Sequence, residues 1–437
     1  MKSRFCRHRS LAVVIVVTFL FATGYAANHE DVRVDGARLN ATMGHMKTFG
    51  GNAEGGSDRI AFTDHNRIAL NYLSGLMADA GMEVHTDFAG NLVGRRPGTD
   101  DSLPPLLAGS HIDTVPNGGH YDGIVGVMSA IEVARTLSDQ DIELRHALEI
   151  AVWTNEEGGK TGSRSMDGSV AASEMDLPSL GEKNLGEGIR FLGGDPDRLA
   201  ENVRDAGSIA GYVEMHIEQG AILDRERIQI GVVDGIVGIK RWYITVHGLT
   251  NHAGTTPMDQ RQDALYAASQ FVTAVRHIVM DEPGRQVATV GKIEAHPGAP
   301  NVIPGRVEAS LEIRDLSMDK VDLLFGRIEN AAHAIGDDTG TTFDFRHYYT
   351  SPAASSDPRI SGLVEDSANR LGLSNMHMPS GAGHDAQSFK DIAPLGMIFV
   401  PSRDGISHAP SEFTDPEDIT NGANVLLHTL IGMDSAL

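Results

Sequence analysis

The stretch Gly109–Gly126, GSHIDTVPNGGHYDGIVG, decides how this chain is read. It holds His111, Asp113 and Asp122 in a glycine-rich setting. The apolar run Leu106-Leu107-Ala108 precedes it and reads as the end of a buried strand. Ile124, Val127, Ile131, Ala134 and Leu137 come after it at three- and four-residue intervals, which is one face of a helix. The polar residues between them therefore lie on a loop leaving the carboxyl end of a strand, where open α/β sheets keep their sites. Imidazole and carboxylate together suit a borderline metal such as zinc, with Asp113 expected to hold the His111 ring from behind. Alone, a His-x-Asp pair in a glycine-rich loop is more often an ordinary turn than a metal site. The remainder of the chain reverses those odds.

A chain of 437 residues is too long for one small core, so two domains are expected. Residues 1–26 stand apart. Lys2, Arg4, Arg7 and Arg9 precede the apolar run Leu11–Ala22, and Gly24-Tyr25-Ala26 offers small residues at −3 and −1 of a cleavage site. This is the pattern of a secretory signal peptide, and the apolar run is shorter than the ~20 residues a membrane span needs. A periplasmic or secreted protein is expected. The only cysteine, Cys6, lies in that leader, which leaves neither a disulfide nor a thiol nucleophile in the remainder. The formal charge of −23 becomes more negative once the basic leader is removed; such a surface repels nucleic acid and anionic membranes.

Taken in order, Arg59–Met82 has helical spacing through Ile68, Leu70, Leu73 and Met77, and Met82–Gly94 alternates like a strand. Gly98–Pro105 is a polar turn. Ala147–Thr154 is a strand ending in Asn155-Glu156-Glu157-Gly158-Gly159. Residues 171–208 are polar, with loops and short helices only. Tyr212–Gly220, YVEMHIEQG, leads from a strand into His216, Glu218 and Gln219. The pattern then changes. Arg241–His247 is a strand, and Asp259–Met280 a helix with Ala264, Ala267, Ala268, Phe271, Val272 and Val275 on one side. Val287–Glu294 and Arg306–Arg314 are strands, Met318–Ile335 a helix and Thr341–Tyr349 a strand. That β-α-β-β-α-β order is ferredoxin-like. It makes 238–351 a domain inserted between 28–237 and 352–437. The last part returns to the first domain through helix Leu363–Leu371, strand Ala393–Val400 and helix Glu417–Leu437.

The candidate ligands are His111, Asp122, the Glu156-Glu157 pair, His216, and His408 in Ser407-His408-Ala409-Pro410-Ser411-Glu412. Each lies beside glycine or at an expected strand end. Three histidines and two or three carboxylates close two neighbouring sites if one carboxylate bridges. Two metals ~3.5–4 Å apart polarise a carbonyl and generate hydroxide near neutral pH. A spare carboxylate then moves the proton from water to the leaving nitrogen.

These blocks resemble the hydantoinase/carbamoylase branch of the binuclear-zinc aminoacylase–carboxypeptidase superfamily. The matching segments are GSHIDTVPNGGHYDG, TNEEGG, YVEMHIEQGAIL, IGVVDGIVGI, TNHAGTTPMDQRQDA, PNVIPGRVEASLEIRD, SGAGHDAQ and SHAPSE. HIEQG and NHAGTTPM are the most specific, since the related aminopeptidases usually carry aspartate where His216 stands. The branch holds N-carbamoyl-L-amino-acid hydrolases, allantoate and ureidoglycolate amidohydrolases, and bacterial β-ureidopropionases. The resemblance implies a zinc-peptidase-like mixed-sheet α/β catalytic domain with an inserted ferredoxin-like dimerisation or lid domain, and a homodimer.

Carried over position by position, it implies that His111, Asp122 and His216 hold one metal and that Asp122, Glu157 and His408 hold the other. Glu156 becomes general base and then acid. His252 stabilises the oxyanion from the neighbouring subunit. Asn301 and Arg314 bind substrate, Arg314 on its carboxylate, which a guanidinium meets bidentately. Gln219, Gly383 and His384 line the same pocket. The cofactors implied are two divalent ions per subunit, zinc first, with manganese, cobalt or nickel compatible with the ligand types. The implied reaction converts an N-carbamoyl-L-amino acid and water to the L-amino acid, carbon dioxide and ammonia. Allantoate or ureidoglycolate hydrolysis is the alternative, ahead of an aminopeptidase or a catalytically dead binding protein. One segment departs from the branch: after the double glutamate, where an Arg-Phe pair and a bulky run are common, Gly159-Lys160-Thr161-Gly162-Ser163-Arg164-Ser165 is small and polar.

The leader pattern yields a direct expectation. N-terminal sequencing of protein from its native host should begin at or near Ala27, and recovery of intact Met1 in a soluble cytoplasmic fraction would contradict it.

Overall fold

The computed structural model describes His29 and residues 31–437. The expected signal peptide, residues 1–26, lies outside the described residues. The strands and helices all belong to one unit, Arg33–Leu437. No helix among the described residues is long and apolar enough to cross a membrane.

In chain order the first strands are β1 (Glu83–Thr86), β2 (Leu92–Arg96), β3 (Leu106–His111), β4 (Leu148–Trp153), β5 (Gly211–Ile217) and β6 (Ile230–Ile236). Strands β7 (Gly238–His247), β8 (Asn251–His252), β9 (Val287–His296), β10 (Val302–Ile303), β11 (Arg306–Asp315) and β12 (Thr342–Ser351) come next. The chain closes with β13 (Ala354–Ser355), β14 (Asn375–Ser380) and β15 (Leu395–Val400). The larger sheet is mixed, in the order β1-β2-β4-β3-β5-β15-β6-β13, with β14 also on β6. Its centre, β4-β3-β5-β15, is parallel. All four of these strands are buried at every position. That is why they read as apolar runs rather than alternating ones, as a parallel sheet covered on both faces must.

Helix Ile124–Asp139 comes after β3. Its sequence predicts one apolar face, yet nearly the whole helix is buried, because helices Gly36–Met46 and Pro416–Ala436 cover its outer side. Buried Glu132 is neutralised there by Arg38 at 2.7 Å. Gly126 lets this helix ride against β5: a Cβ there would lie 2.2 Å from the Met215 carbonyl oxygen.

Residues 238–351 form a second sheet, antiparallel throughout, in the order β12-β7-β11-β9. Its core joins Trp242, Ile244 and Val246 to Phe271 and Val275 of helix Ala264–Asp281 and to Leu324 and Ile328 of helix Met318–Thr339. This is the ferredoxin-like order, with the short β8–β10 ladder added.

Several local expectations are corrected. Met82–Gly94 is not one strand but the hairpin β1–β2, because the Asp87 carboxylate accepts the N–H groups of Ala89 and Asn91 and turns the chain. The helix expected from Arg59 begins at Asp64, capped by Thr63, and Ile68 on its expected inner face is 49% exposed. Arg59 itself is fully buried and donates to the Ile112 carbonyl at 2.6 Å, tying down the loop after β3. The helix expected from Asp259 begins at Ala264, where the Asp263 carboxylate caps it, and Val272 faces solvent. Helix Gly36–Met46 and strands β13 and β14 were not anticipated.

Candidate metal centre and active site

The four central parallel strands deliver the expected metal ligands, together with Glu156 and Gln219, at their carboxyl ends. His111 ends β3, with Asp113 and Asp122 in the loop beyond it. Glu156 and Glu157 come after β4, His216 and Gln219 lie at the end of β5, and His408 comes after β15. Six non-glycine residues in these segments, Asn117, Asn155, Lys160, Gln219, Asp404 and His408, have left-handed backbones with φ between +51° and +58°. Non-glycine residues held in that region cluster where structure serves a site.

Asp122 is the meeting point. Its Oδ1 lies 3.4 Å from His111 Nε2 and 3.1 Å from His216 Nε2. Its Oδ2 lies 3.1 Å from His408 Nε2, which is also 3.4 Å from Glu157 Oε1. Candidate donor atoms of His111, Asp122 and His216 fall within 4.8 Å of one another, as do those of Asp122, Glu157 and His408. The two histidine tautomers are set by backbone: His111 Nδ1 lies 3.0 Å from the Asp113 carbonyl and His216 Nδ1 2.9 Å from the Ile217 carbonyl. A carbonyl accepts only, so each Nδ1 carries the proton and each Nε2 is left as an acceptor; that of His111 faces Asp122, and that of His216 lies between Asp122 Oδ1 and the Gly123 N–H, which it accepts at 3.1 Å. Acceptors facing acceptors need a cation or a proton between them, and this nitrogen and oxygen donor set fits a divalent metal.

The electrostatics agree. Burial opposes protonation of His111, but hydrogen bonding to Asp122 and the charges of Glu156 and Asp113 carry its pKa well above the usual range. Burial would raise Asp122, yet the surrounding histidines hold it well below the usual carboxylate range. Burial raises Glu156, and burial together with Asp122 pushes Glu157 up to about 8. The hydrogen bond to Asp122 lifts His408 to about 9.

Asp113 differs from its expected role. Its carbonyl, not its carboxylate, holds His111; the carboxylate lies 3.8 Å from the ring. That carboxylate instead accepts the backbone N–H groups of Glu156 and Glu157, each at 3.2 Å, and so fixes the double-glutamate turn. Gly123 has φ +68°, and a Cβ there would lie 2.5 Å from the His111 ring, so glycine is required for the imidazole to reach Asp122.

Gln219 Nε2 donates to Asp122 Oδ2 at 2.6 Å. His384 packs edge-on to His216 with centroids 4.4 Å apart, and burial and His216 hold it well below the usual imidazole pKa. Gly383 precedes it in the same loop. Arg314 donates Nη1 to the Gly381 carbonyl at 2.7 Å and Nε to Glu312 at 2.6 Å. His252 and Asn301 come together at the β8–β10 ladder, where the Asn301 carbonyl accepts the Ala253 N–H at 3.0 Å. Both are exposed, and no hydrogen bond or ion pair among the described residues joins them to the Asp122 cluster.

Glu412, in the SHAPSE segment, has a role that its sequence context did not suggest. Its buried carboxylate joins two loops almost three hundred residues apart. Oε1 accepts the N–H groups of Tyr121 and Asp122 at 2.9 and 3.1 Å. Oε2 accepts Ser407 Oγ at 2.9 Å and the His408 N–H at 3.2 Å. Its spacing four residues after His408 was the available signal.

Residues 107–431 match peptidase family M20/M25/M40. The chain belongs to that family. Within it, the chain is 36% identical over 402 residues to an N-carbamoyl-L-amino acid amidohydrolase of Geobacillus stearothermophilus, covering 91% of this chain and 98% of the relative. It is 33% identical over 410 residues to a ureidoglycolate hydrolase of Arabidopsis thaliana, covering 91% and 86%. A solved hydantoinase/carbamoylase-family amidase from Burkholderia multivorans superposes with TM-score 0.85 at 34% identity, covering 92% of this chain and 98% of that one. This M20 chain therefore falls in the hydantoinase/carbamoylase branch, with its mixed-sheet fold.

The titration of these groups sets a first expectation. A metal cation competes with protons on Glu157 and His408, so affinity should rise with pH up to about 9 and binding should release protons. Calorimetric titration of chelated protein in two buffers of different ionisation enthalpy reads both, and an affinity insensitive to pH would contradict it. Glu412→Ala, which leaves Asp122 and His408 in place but unclamps their loops, should weaken metal binding by ~10–100-fold. Competition with a chromophoric chelator measures this.

Proposed function

We propose that the protein hydrolyses the carbamoyl C–N bond of an N-carbamoyl-L-amino acid, giving the L-amino acid, carbon dioxide and ammonia. The observation that carries the reading is Asp122 set between two donor triads beside Glu156, in a chain whose nearly full-length relatives include several N-carbamoyl-L-amino-acid amidohydrolases. His111, Asp122 and His216 would hold one divalent ion and Asp122, Glu157 and His408 a second, zinc in the first instance. Such a pair supplies an acidified water and a polarised carbonyl.

The chain's own residues do the rest. Glu156 Oε2 lies 3.8 Å from His111 Nε2, on a turn fixed by the Asp113 carboxylate. It takes the proton of the attacking water and delivers it to the departing nitrogen, and burial tunes it for holding a proton in transit. Arg314 Nη2 makes no hydrogen bond among the described residues, which leaves one edge of the guanidinium for the substrate carboxylate. Gln219 and the Gly383-His384 loop wall the pocket. We take 238–351 as the lid, between catalytic segments 28–237 and 352–437, and the leader as the signal for export.

A second reading, hydrolysis of a ureido acid such as ureidoglycolate, is favoured by the plant relatives that carry that name. Ammonia release from a panel of carbamoyl amino acids, allantoate, ureidoglycolate and dipeptides separates them; turnover of dipeptides alone would contradict both.

Glu156→Gln keeps size and hydrogen bonding but ends proton transfer, so turnover should fall by ~10²–10⁴ with metal retained. Glu157→Gln should instead lower metal content, and equal metal loss in the two variants would contradict this division of roles.

The lid residue His252 reaches a metal site only by closure, and its exposure on β8 suits service to a neighbouring subunit. The unpaired edge of β9, with Val287 and Ile293 about half exposed, suits pairing with a second copy. A homodimer through 238–351 is therefore part of the proposal. Mixing inactive Glu156→Gln and His252→Ala proteins under subunit exchange should restore activity towards half the wild-type value per mixed dimer, because one site then has both residues. Confirmed exchange without recovery would contradict action in trans.

A further inference from the structure

The double-glutamate turn carries a lysine that the proposed reaction does not use. Lys160 closes the turn by donating its N–H to the Glu156 carbonyl at 2.9 Å. Its backbone is left-handed, φ +58°, a region that residues other than glycine, asparagine, aspartate and histidine seldom enter. The ammonium donates to Gln387 Oε1 at 2.5 Å. Buried Gln387 in turn donates to the carbonyls of Val237 and Pro352, on the two segments that lead into and out of the lid. The ammonium is thus held by a neutral amide, and Lys160 makes no ion pair among the described residues.

The amine stands beside the Gly383-His384 loop. A Cβ built on Gly383 would lie 3.4 Å from Lys160 Nζ. Beside it opens a cleft of about 430 Å³, lined among others by Lys160, Arg164, Lys390, Gln387, Thr350 and Asp167. Arg164 is paired with Glu174 and Lys390 with Asp391, so Lys160 is the cation of this cleft with charge to spare. The neighbouring Gly158, Gly159, Thr161, Gly162 and Ser163 are small and leave room. Arg314 meets the other end of the same loop, at the Gly381 carbonyl. Two cations therefore bracket Gly381-Ala382-Gly383.

We propose that Lys160 is the second carboxylate anchor of the substrate pocket, and that the preferred substrates are N-carbamoyl derivatives of acidic L-amino acids. The proposal rests on the carbamoyl reading of the site. Arg314 takes the α-carboxylate and Lys160 the side-chain carboxylate. An ammonium-to-carboxylate hydrogen bond is stronger than one to a neutral amide oxygen, so such a substrate displaces Gln387 and an uncharged one does not.

The test compares kcat/KM of the metal-loaded full chain for N-carbamoyl-L-aspartate and N-carbamoyl-L-glutamate with that for the asparagine and glutamine isosteres. Wild type should prefer the acids by ~10-fold or more. The ratio should collapse towards unity in Lys160→Gln and persist in Lys160→Arg, with Lys160→Met giving the same reading should the glutamine variant fail to fold. A wild-type enzyme without the preference, or a preference that survives loss of the ammonium, overturns the proposal. Turnover of the neutral substrates without acid preference overturns this inference alone, whereas no turnover of any carbamoyl amino acid overturns the proposed function as well.

Discussion

The buried carboxylate of Asp122 is the constraint on which the rest depends. It is 5% exposed and takes His111 and His216 on one oxygen, His408 and Gln219 on the other. An isolated charge cannot be kept in such a place; it must be paired or bind a cation. The surrounding fold is arranged to satisfy that demand. Glu412 holds the Asp122 and His408 loops against each other through four hydrogen bonds. The carbonyls after His111 and His216 hold both rings with Nε2 inward. Gly123 makes room for one of those rings.

The sheet explains how residues so distant in sequence meet. The strands β4, β3, β5 and β15 are adjacent and parallel, so their carboxyl ends form one rim. Each contributes a turn, and residues with left-handed backbones stand at those turns. The second sheet stands on its own core, with Arg314 reaching from β11 to the Gly381 carbonyl of the first. Lys160 and Gln387 link the double-glutamate turn to both segments joining the two sheets. The double-glutamate turn and the two segments flanking the second sheet are thereby joined through one lysine and one amide.

Much of this was legible because it is periodic or local. The apolar runs of β3, β4, β5 and β15 and the 3.6-residue spacing after Asp122 gave the α/β core. The alternation of strands and helices across 238–351 gave the ferredoxin-like order. The illegible part depends on approach in space. Whether Asp113 uses its carbonyl or its carboxylate is set by one loop's path, which no spacing encodes. Glu412 clamps Asp122 across a long sequence separation, so its role appears only once β3 and β15 flank β5. The burial of Arg59 runs against composition, since its partners are the backbone carbonyls of Met46, Phe49 and Ile112. The helix after Asp122 hid its second buried face because residues 36–46, unread as a helix, cover it.

The central claim is that Asp122 bridges two cations. Anomalous scattering from zinc-soaked crystals, collected above and below the zinc edge, tests it most directly. The account predicts two peaks ~3.5–4 Å apart on either side of the Asp122 carboxylate, one against His111 and His216 and the other against Glu157 and His408. A single peak, or peaks away from Asp122, would contradict it.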